Sequence, residues 1–182
     1  MFNQPKSFAM GEHAVYVHRV LESGWHRINR QFPVLLLTGP RQVGKTTVLQ
    51  HVCEHERDYV SLDDPNSRHL ARRDPGLFLQ QHPPPVLIDE VQYAPELFPL
   101  IKISVDRNRT NGAFWLTGSQ QFHMMQRITE SLAGRVAVIR LLGFSSRETA
   151  SQPEPDRPFM PDREAYSPAS PVRGVREIYE RI

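Results

Sequence analysis

The residues Gly39-Pro40-Arg41-Gln42-Val43-Gly44-Lys45-Thr46 follow the apolar run PVLLLT at 33–38 and match the spacing G-x-x-x-x-G-K-[ST]. That spacing suits a loop that cradles phosphate. Glycines at 39 and 44 permit backbone conformations and close approaches that a Cβ would hinder, so successive N–H groups can point inward at anionic oxygens. Lys45 would reach the β- and γ-phosphates as a point charge, and the Thr46 hydroxyl would ligate Mg²⁺. The nucleotide-binding run thus extends over Gly39, Pro40, Arg41, Gln42, Val43, Gly44, Lys45, Thr46 and Thr47, of which Thr47 reads as the one that packs the following helix. A second chemical pair lies at Asp89 and Glu90, which emerge from the apolar run Val86-Leu87-Ile88. Two acids at the carboxyl end of a buried strand suit two roles: Asp89 holding the metal, and Glu90 taking a proton from, or orienting, an attacking water. A strand-to-helix turn with an exposed lysine, and an ordinary acidic strand end, are the plainer readings; the two halves together favour hydrolysis of a nucleoside triphosphate.

For these groups to meet, buried strands must deliver them to one edge of a sheet. Short apolar runs bounded by turn signals recur along the first 145 residues or so, with segments of helical periodicity between them. The runs predict strands at Val34–Leu37, Tyr59–Leu62, Val86–Ile88, Phe114–Leu116 and Val136–Leu141. The alternation argues for an α/β fold, a parallel five-stranded sheet with helices on both faces. Val48, Leu49, Val52 and Cys53 form one stripe of a helix opened by the loop, with Gln50, His51 and Glu54 outward. Asp64-Pro65 and Asp74-Pro75 each read as an acidic N-cap followed by proline in the first turn. Leu97, Phe98, Ile101 and Val105 line one helical face, and Asn111-Gly112 turns the chain into the next strand. From about residue 149 to 174 the composition shifts to Pro, Ser, Asp and Arg, a linker-like stretch, and VREIYERI reads as the start of a further helix.

Composition sets bounds on partners. A length of 182 residues suits one globular domain with a short appendage, and a net charge of +2 gives no dedicated nucleic-acid footprint. One cysteine excludes an internal disulfide framework. No apolar run approaches the roughly 20 residues of a membrane span, so the sequence reads as cytoplasmic. His51 and His55 stand at i, i+4, a zinc-compatible spacing without further suitably spaced ligands, and the sequence gives no zinc centre there. Asp63 reads as a cap or turn residue. Arg68, Arg72 and Arg73 read as a solvated helix face rather than a nucleic-acid contact.

The ordered set LLLTGPRQVGKTT, YVSLDDP, PVLIDEVQYAPELFPLIK, FWLTGSQQF and ESLAGRV resembles the prokaryotic AAA+ ATPases that carry a C-terminal domain of unknown function. The resemblance covers most of residues 16 to 148. It implies a helical lead-in over 1–30, a three-layer ATPase core over 31–148 with strand order 5-1-4-3-2, and a linker with the beginning of a truncated C-terminal domain over 149–182. It implies Ser119, with Thr117 as alternative, as the polar residue sensing the γ-phosphate. Arg135 falls where such proteins place an arginine finger acting on a neighbouring subunit's nucleotide, which requires a homo-oligomer. Tyr16 to Arg19 are implied near the base. The resemblance alone selects ATP over GTP. The chemistry expected is Mg²⁺-dependent ATP hydrolysis coupled to an attached domain or protein partner, slow without the lid such ATPases carry. A phosphotransferase acting on a small molecule, or a nucleotide-gated interaction module associated with DNA, is the alternative.

Overall fold

The structure is a computed structural model that describes residues 16–53, 57–119, 128 and 130–149. Helix α1 (Leu21–Asn29) leads into β1 (Val34–Gly39) and α2 (Lys45–His51). There follow β2 (Asp58–Ser61), α3 (Pro65–Arg73), α4 (Pro75–Gln81) and β3 (Val86–Asp89). A 3-10 turn (Val91–Tyr93), α5 (Leu97–Asn108), β4 (Phe114–Ser119), β5 (Val136–Arg140) and the short α6 (Ser146–Thr149) complete the described chain.

The five strands form one parallel sheet in the order β2-β3-β4-β1-β5, which is the expected 5-1-4-3-2 arrangement counted from the other side. The sheet with its flanking helices is the three-layer fold of P-loop NTPases. Why β1 lies inside the sheet, covered on both faces, is visible in its sequence. Val34 and Leu36 enter one core with Phe78, Phe98 and Ile101, while Leu35 and Leu37 enter the other with Trp25, Leu49 and Trp115. Side chains alternate across a strand, so only a strand covered by helices on both faces can bury four consecutive apolar residues.

The helix punctuation follows local chemistry. The Asp64 carboxylate accepts from Ser67 N at 2.8 Å and that of Asp74 from Leu77 N at 2.9 Å, each ahead of a proline whose missing N–H needs no partner. Along α5, Leu97, Phe98, Ile101 and Val105 are buried, as their spacing predicts. Gly112 turns the chain at φ 71°, and an added Cβ would meet the Asn29 side chain at 2.3 Å. Asn29 itself accepts from the Trp115 indole at 2.7 Å, so this turn also fixes α1 against the sheet.

Candidate nucleotide site

All five strands run in one direction, so the loop after β1 and the acids after β3 emerge at the same, carboxyl edge. The register brings a third tip between them: Gly39 pairs with Ser119 of β4, and Ser61 of β2 with Asp89.

The loop itself shows why its glycines stand where they do. A Cβ at Gly39 would lie 2.1 Å from the Leu141 carbonyl oxygen, so the chain leaving β5 demands glycine here. Gly44 has open space but a left-handed backbone at φ 85°, and Gln42 joins it at φ 62°. Left-handed residues interspersed in a loop are the conformation from which anion-binding nests of N–H groups are made. Pro40, Arg41 and Gln42 are exposed, and Val43 is half-buried. Lys45 opens α2 almost wholly buried, its Nζ donating to the carbonyls of Pro40 at 2.9 Å and Gly39 at 3.3 Å. Thr46 Oγ1 donates to Asp89 Oδ1 at 3.0 Å. Thr47 corrects the sequence reading: it is exposed rather than packed, because Val48 and Leu49 fill the interior side of α2 and the third helical position faces out.

Asp89 is the hub of the cluster. Besides Thr46, its Oδ1 accepts from Thr117, and its Oδ2 accepts from the Tyr59 hydroxyl at 3.2 Å. Burial first, then the Asp89 charge, push the Tyr59 hydroxyl up to about 12, so it stays protonated and able to donate. Thr117 is fully buried and also accepts from Glu90 N at 3.0 Å. Its hydroxyl therefore fixes the turn from β3.

Glu90 adopts φ 57° and ψ 45°, a left-handed conformation costing on the order of 1–3 kcal/mol for a residue with a Cβ. The surroundings hold it there. Gln92 donates its amide to the Glu90 carboxylate, and the same amide's oxygen accepts from Ser119 N at 3.2 Å. Ser119 Oγ is buried with no hydrogen-bond partner among the described residues. Thr117 is thus committed to positioning Asp89 and Glu90, whereas Ser119 holds an unused hydroxyl beside the loop.

Arg135 lies elsewhere. Its carbonyl accepts from Val34 N at 3.2 Å, at the amino edge of β1 and β5, a full strand away from Lys45. Its guanidinium is tied to Asp106 of α5 at 2.5 and 3.0 Å. It cannot reach the loop of its own chain. The Asp106 carboxyl is held below its ordinary range, chiefly by the hydrogen bond from Arg135.

Two contributors escaped the sequence reading. Gln92 and Tyr59 are unremarkable by type, and only the fold brings them to Asp89 and Glu90. Arg19, which the resemblance implies only as near the base, has contacts that the sequence reading did not foresee. Its buried guanidinium donates to Glu148 at 3.0 Å, to the carbonyl of Val43 in the loop at 3.0 Å, and to those of Leu142 and Gly143 at 2.8 and 3.2 Å. It thereby ties the lead-in, the loop and the segment after β5 together. The segment at 150–182, expected to be linker and further helix, lies outside the described residues.

The hydroxyl of Thr46 and the carboxylate of Asp89 form a hard-oxygen donor pair, which fits Mg²⁺ rather than a softer ion. No helix among the described residues is long and apolar enough to cross a membrane.

Comparison with known proteins agrees with this arrangement. A family model described as an AAA domain matches residues 31–150. Uncharacterised proteins of Mycobacterium tuberculosis and Mycobacterium bovis are each 38% identical over 120 residues, covering 65% of this chain. The chain spans 27% of the length of these relatives. A Walker-type ATPase of Pyrococcus abyssi superposes with a TM-score of 0.50 at 19% identity, over 70% of this chain and 53% of that one, a likeness of fold. With its matched segment spanning the sheet, the loop and both acids, the chain belongs to the AAA domain family.

Proposed function

We propose that the chain binds Mg·ATP at the loop 39–46 and cleaves the β–γ phosphoanhydride bond, releasing ADP and phosphate. The observation that carries this reading is the 3.0 Å contact between Thr46 and Asp89, which joins the loop to the acid tip across the carboxyl edge. The loop amides and the N-terminus of α2 meet the phosphate charge, and Lys45 exchanges its hydrogen bonds to the Gly39 and Pro40 carbonyls for phosphate oxygens. Thr46 and Asp89 would hold Mg²⁺, which supplies charge neutralisation across the phosphate oxygens. Glu90 takes the proton of the attacking water, and Gln92 governs where the Glu90 carboxylate rests. The Ser119 hydroxyl donates to the water or to a γ-phosphate oxygen. Arg135, remote from its own loop, serves the nucleotide of a neighbouring subunit, and the cycle drives an attached domain or partner.

The deciding experiment measures phosphate release with no added acceptor, alongside binding of a fluorescent ATP analogue. Glu90→Gln should retain binding and lose turnover by about 10²-fold or more, the range of a lost general base. Binding without any phosphate release by the wild type, at all protein concentrations, would sink the hydrolase reading and favour transfer or static gating.

A further inference from the structure

The lead-in to α1 carries a cluster to which the hydrolysis proposed above assigns no role. His18 Nδ1 lies 3.1 Å from Glu22 Oε2, and His51 Nε2, from the end of α2, lies 4.0 Å from the same oxygen. All three donor atoms fall within 4.8 Å of one another. In a tetrahedral shell with bonds of about 2.0–2.2 Å, neighbouring donors stand about 3.3–3.6 Å apart, so modest side-chain rotation closes this set around an ion.

The cluster is built from below. Glu22 Oε1 is fixed by the Tyr16 hydroxyl at 2.7 Å and Arg19 N at 2.6 Å, which leaves Oε2 facing the two imidazoles. Tyr16 stacks on the His51 ring at 3.7 Å between centroids and meets the His18 ring edge-on at 5.4 Å. Burial pushes the Glu22 carboxyl up, but the bonds from Arg19 N, Tyr16 and His18 outweigh it and hold the group below its ordinary range, ionised at neutral pH. The sequence reading sought a partner for His51 four residues on at His55, which lies outside the described residues; the partners found are on a different element, 33 and 29 positions earlier in the chain.

We propose that His18, Glu22 and His51 form a divalent transition-metal site with zinc as the fitting ion, water completing the shell. Two imidazole nitrogens and one carboxylate oxygen are donors that zinc accepts and Mg²⁺ does not favour. The ion fastens residues 16–22 to the end of α2. Because Arg19 lies within that segment and donates to the loop carbonyl of Val43, occupancy also steadies the lead-in against the loop.

The test uses the full chain freed of any affinity tag, titrated with Zn²⁺ against a chromophoric chelator, with Co²⁺ as a spectroscopic probe. The wild type should take up one equivalent saturably, show visible d–d absorption with Co²⁺, and melt at a higher temperature with Zn²⁺ than with Mg²⁺. His18→Ala and Glu22→Gln should weaken uptake at least tenfold and abolish the melting shift, and His69→Ala, an exposed histidine on α3, should change neither. His18 is largely exposed, so its variant folds and carries the test even where Glu22→Gln is unstable. Absence of one-equivalent uptake, or uptake by His18→Ala equal to wild type, overturns the site. Phosphate release plays no part in these readouts, so failure here is distinguishable from failure of the hydrolase reading.

Discussion

Replacing Arg19 by methionine keeps an unbranched stem in the same space and removes every donor of the guanidinium. The losses can be counted on the structure: the pair with Glu148 at 3.0 Å and the bonds to the Val43, Leu142 and Gly143 carbonyls. Glu148 retains the N–H groups of Val20 and Ser145 but becomes a nearly buried carboxylate without a counter-charge. Removing one partner from such a pair costs about 3–5 kcal/mol. For a domain of this size, about 2–4 °C of Tm is lost per kcal/mol, so the expected drop is roughly 6–20 °C. Thermal unfolding followed by far-UV circular dichroism measures the Tm, and urea denaturation followed by tryptophan fluorescence measures the free-energy cost.

The Arg19→Met/Glu148→Leu double variant should cost less than the sum of the two single changes by at least about 1 kcal/mol, since the second change removes the stranded charge. An acid titration adds a second reading. Burial pushes the Glu148 carboxyl up, yet the bonds from Ser145 N, Val20 N and Arg19 win and hold it below its ordinary 4.5. Its folded value being depressed, its contribution is complete above 4.5 and lost as pH falls through the folded value, so Arg19→Met should flatten that part of the acid limb. A single-variant cost under about 1 kcal/mol, or strict additivity in the double variant, would refute the reasoning.

Ser119→Ala should raise stability slightly, by up to about 1 kcal/mol, because it deletes a buried hydroxyl without a partner among the described residues, while lowering phosphate release at least tenfold. Concurrent loss of stability would show that the hydroxyl is structural. Mixing Lys45→Ala with Arg135→Ala, each inactive alone, should restore part of the phosphate release if Arg135 serves a neighbour's nucleotide; no restoration at any concentration confines it to its contact with Asp106.

What the sequence made legible and what it hid divide along a physical line. Positions whose behaviour depends on near neighbours were readable: the four-residue apolar centre of β1, the Asp64 and Asp74 caps before prolines, the spacing of Gly44, Lys45 and Thr46. Strand order was legible through the family resemblance, and periodicity alone could not have supplied it. The contacts that shape the site join residues far apart in the chain. Tyr59 is a common strand residue until β2 docks beside β3, and Arg19, implied by the resemblance only as near the base, gains its tie to the loop's surroundings once β5 brings Leu142 and Gly143 to it. Thr47 misled because one position of helical phase separates a packed side chain from a solvated one. The left-handed Glu90 leaves no mark in composition, since its conformation is enforced by Thr117 and Gln92 rather than by its own preference.

The hydroxyl donors around Asp89 come from α2, β2 and β4, at sequence separations of 43, 30 and 28 residues. Each demands closure of a long stretch of chain before any of its benefit is realised, and such contacts form late and slowly. A nascent chain that has emerged only through the 3-10 turn after β3 already possesses the loop and both acids but lacks Thr117, which orients them. The arrangement of the two acids is therefore completed only when the fourth strand docks, and a half-synthesised or half-refolded molecule does not present it.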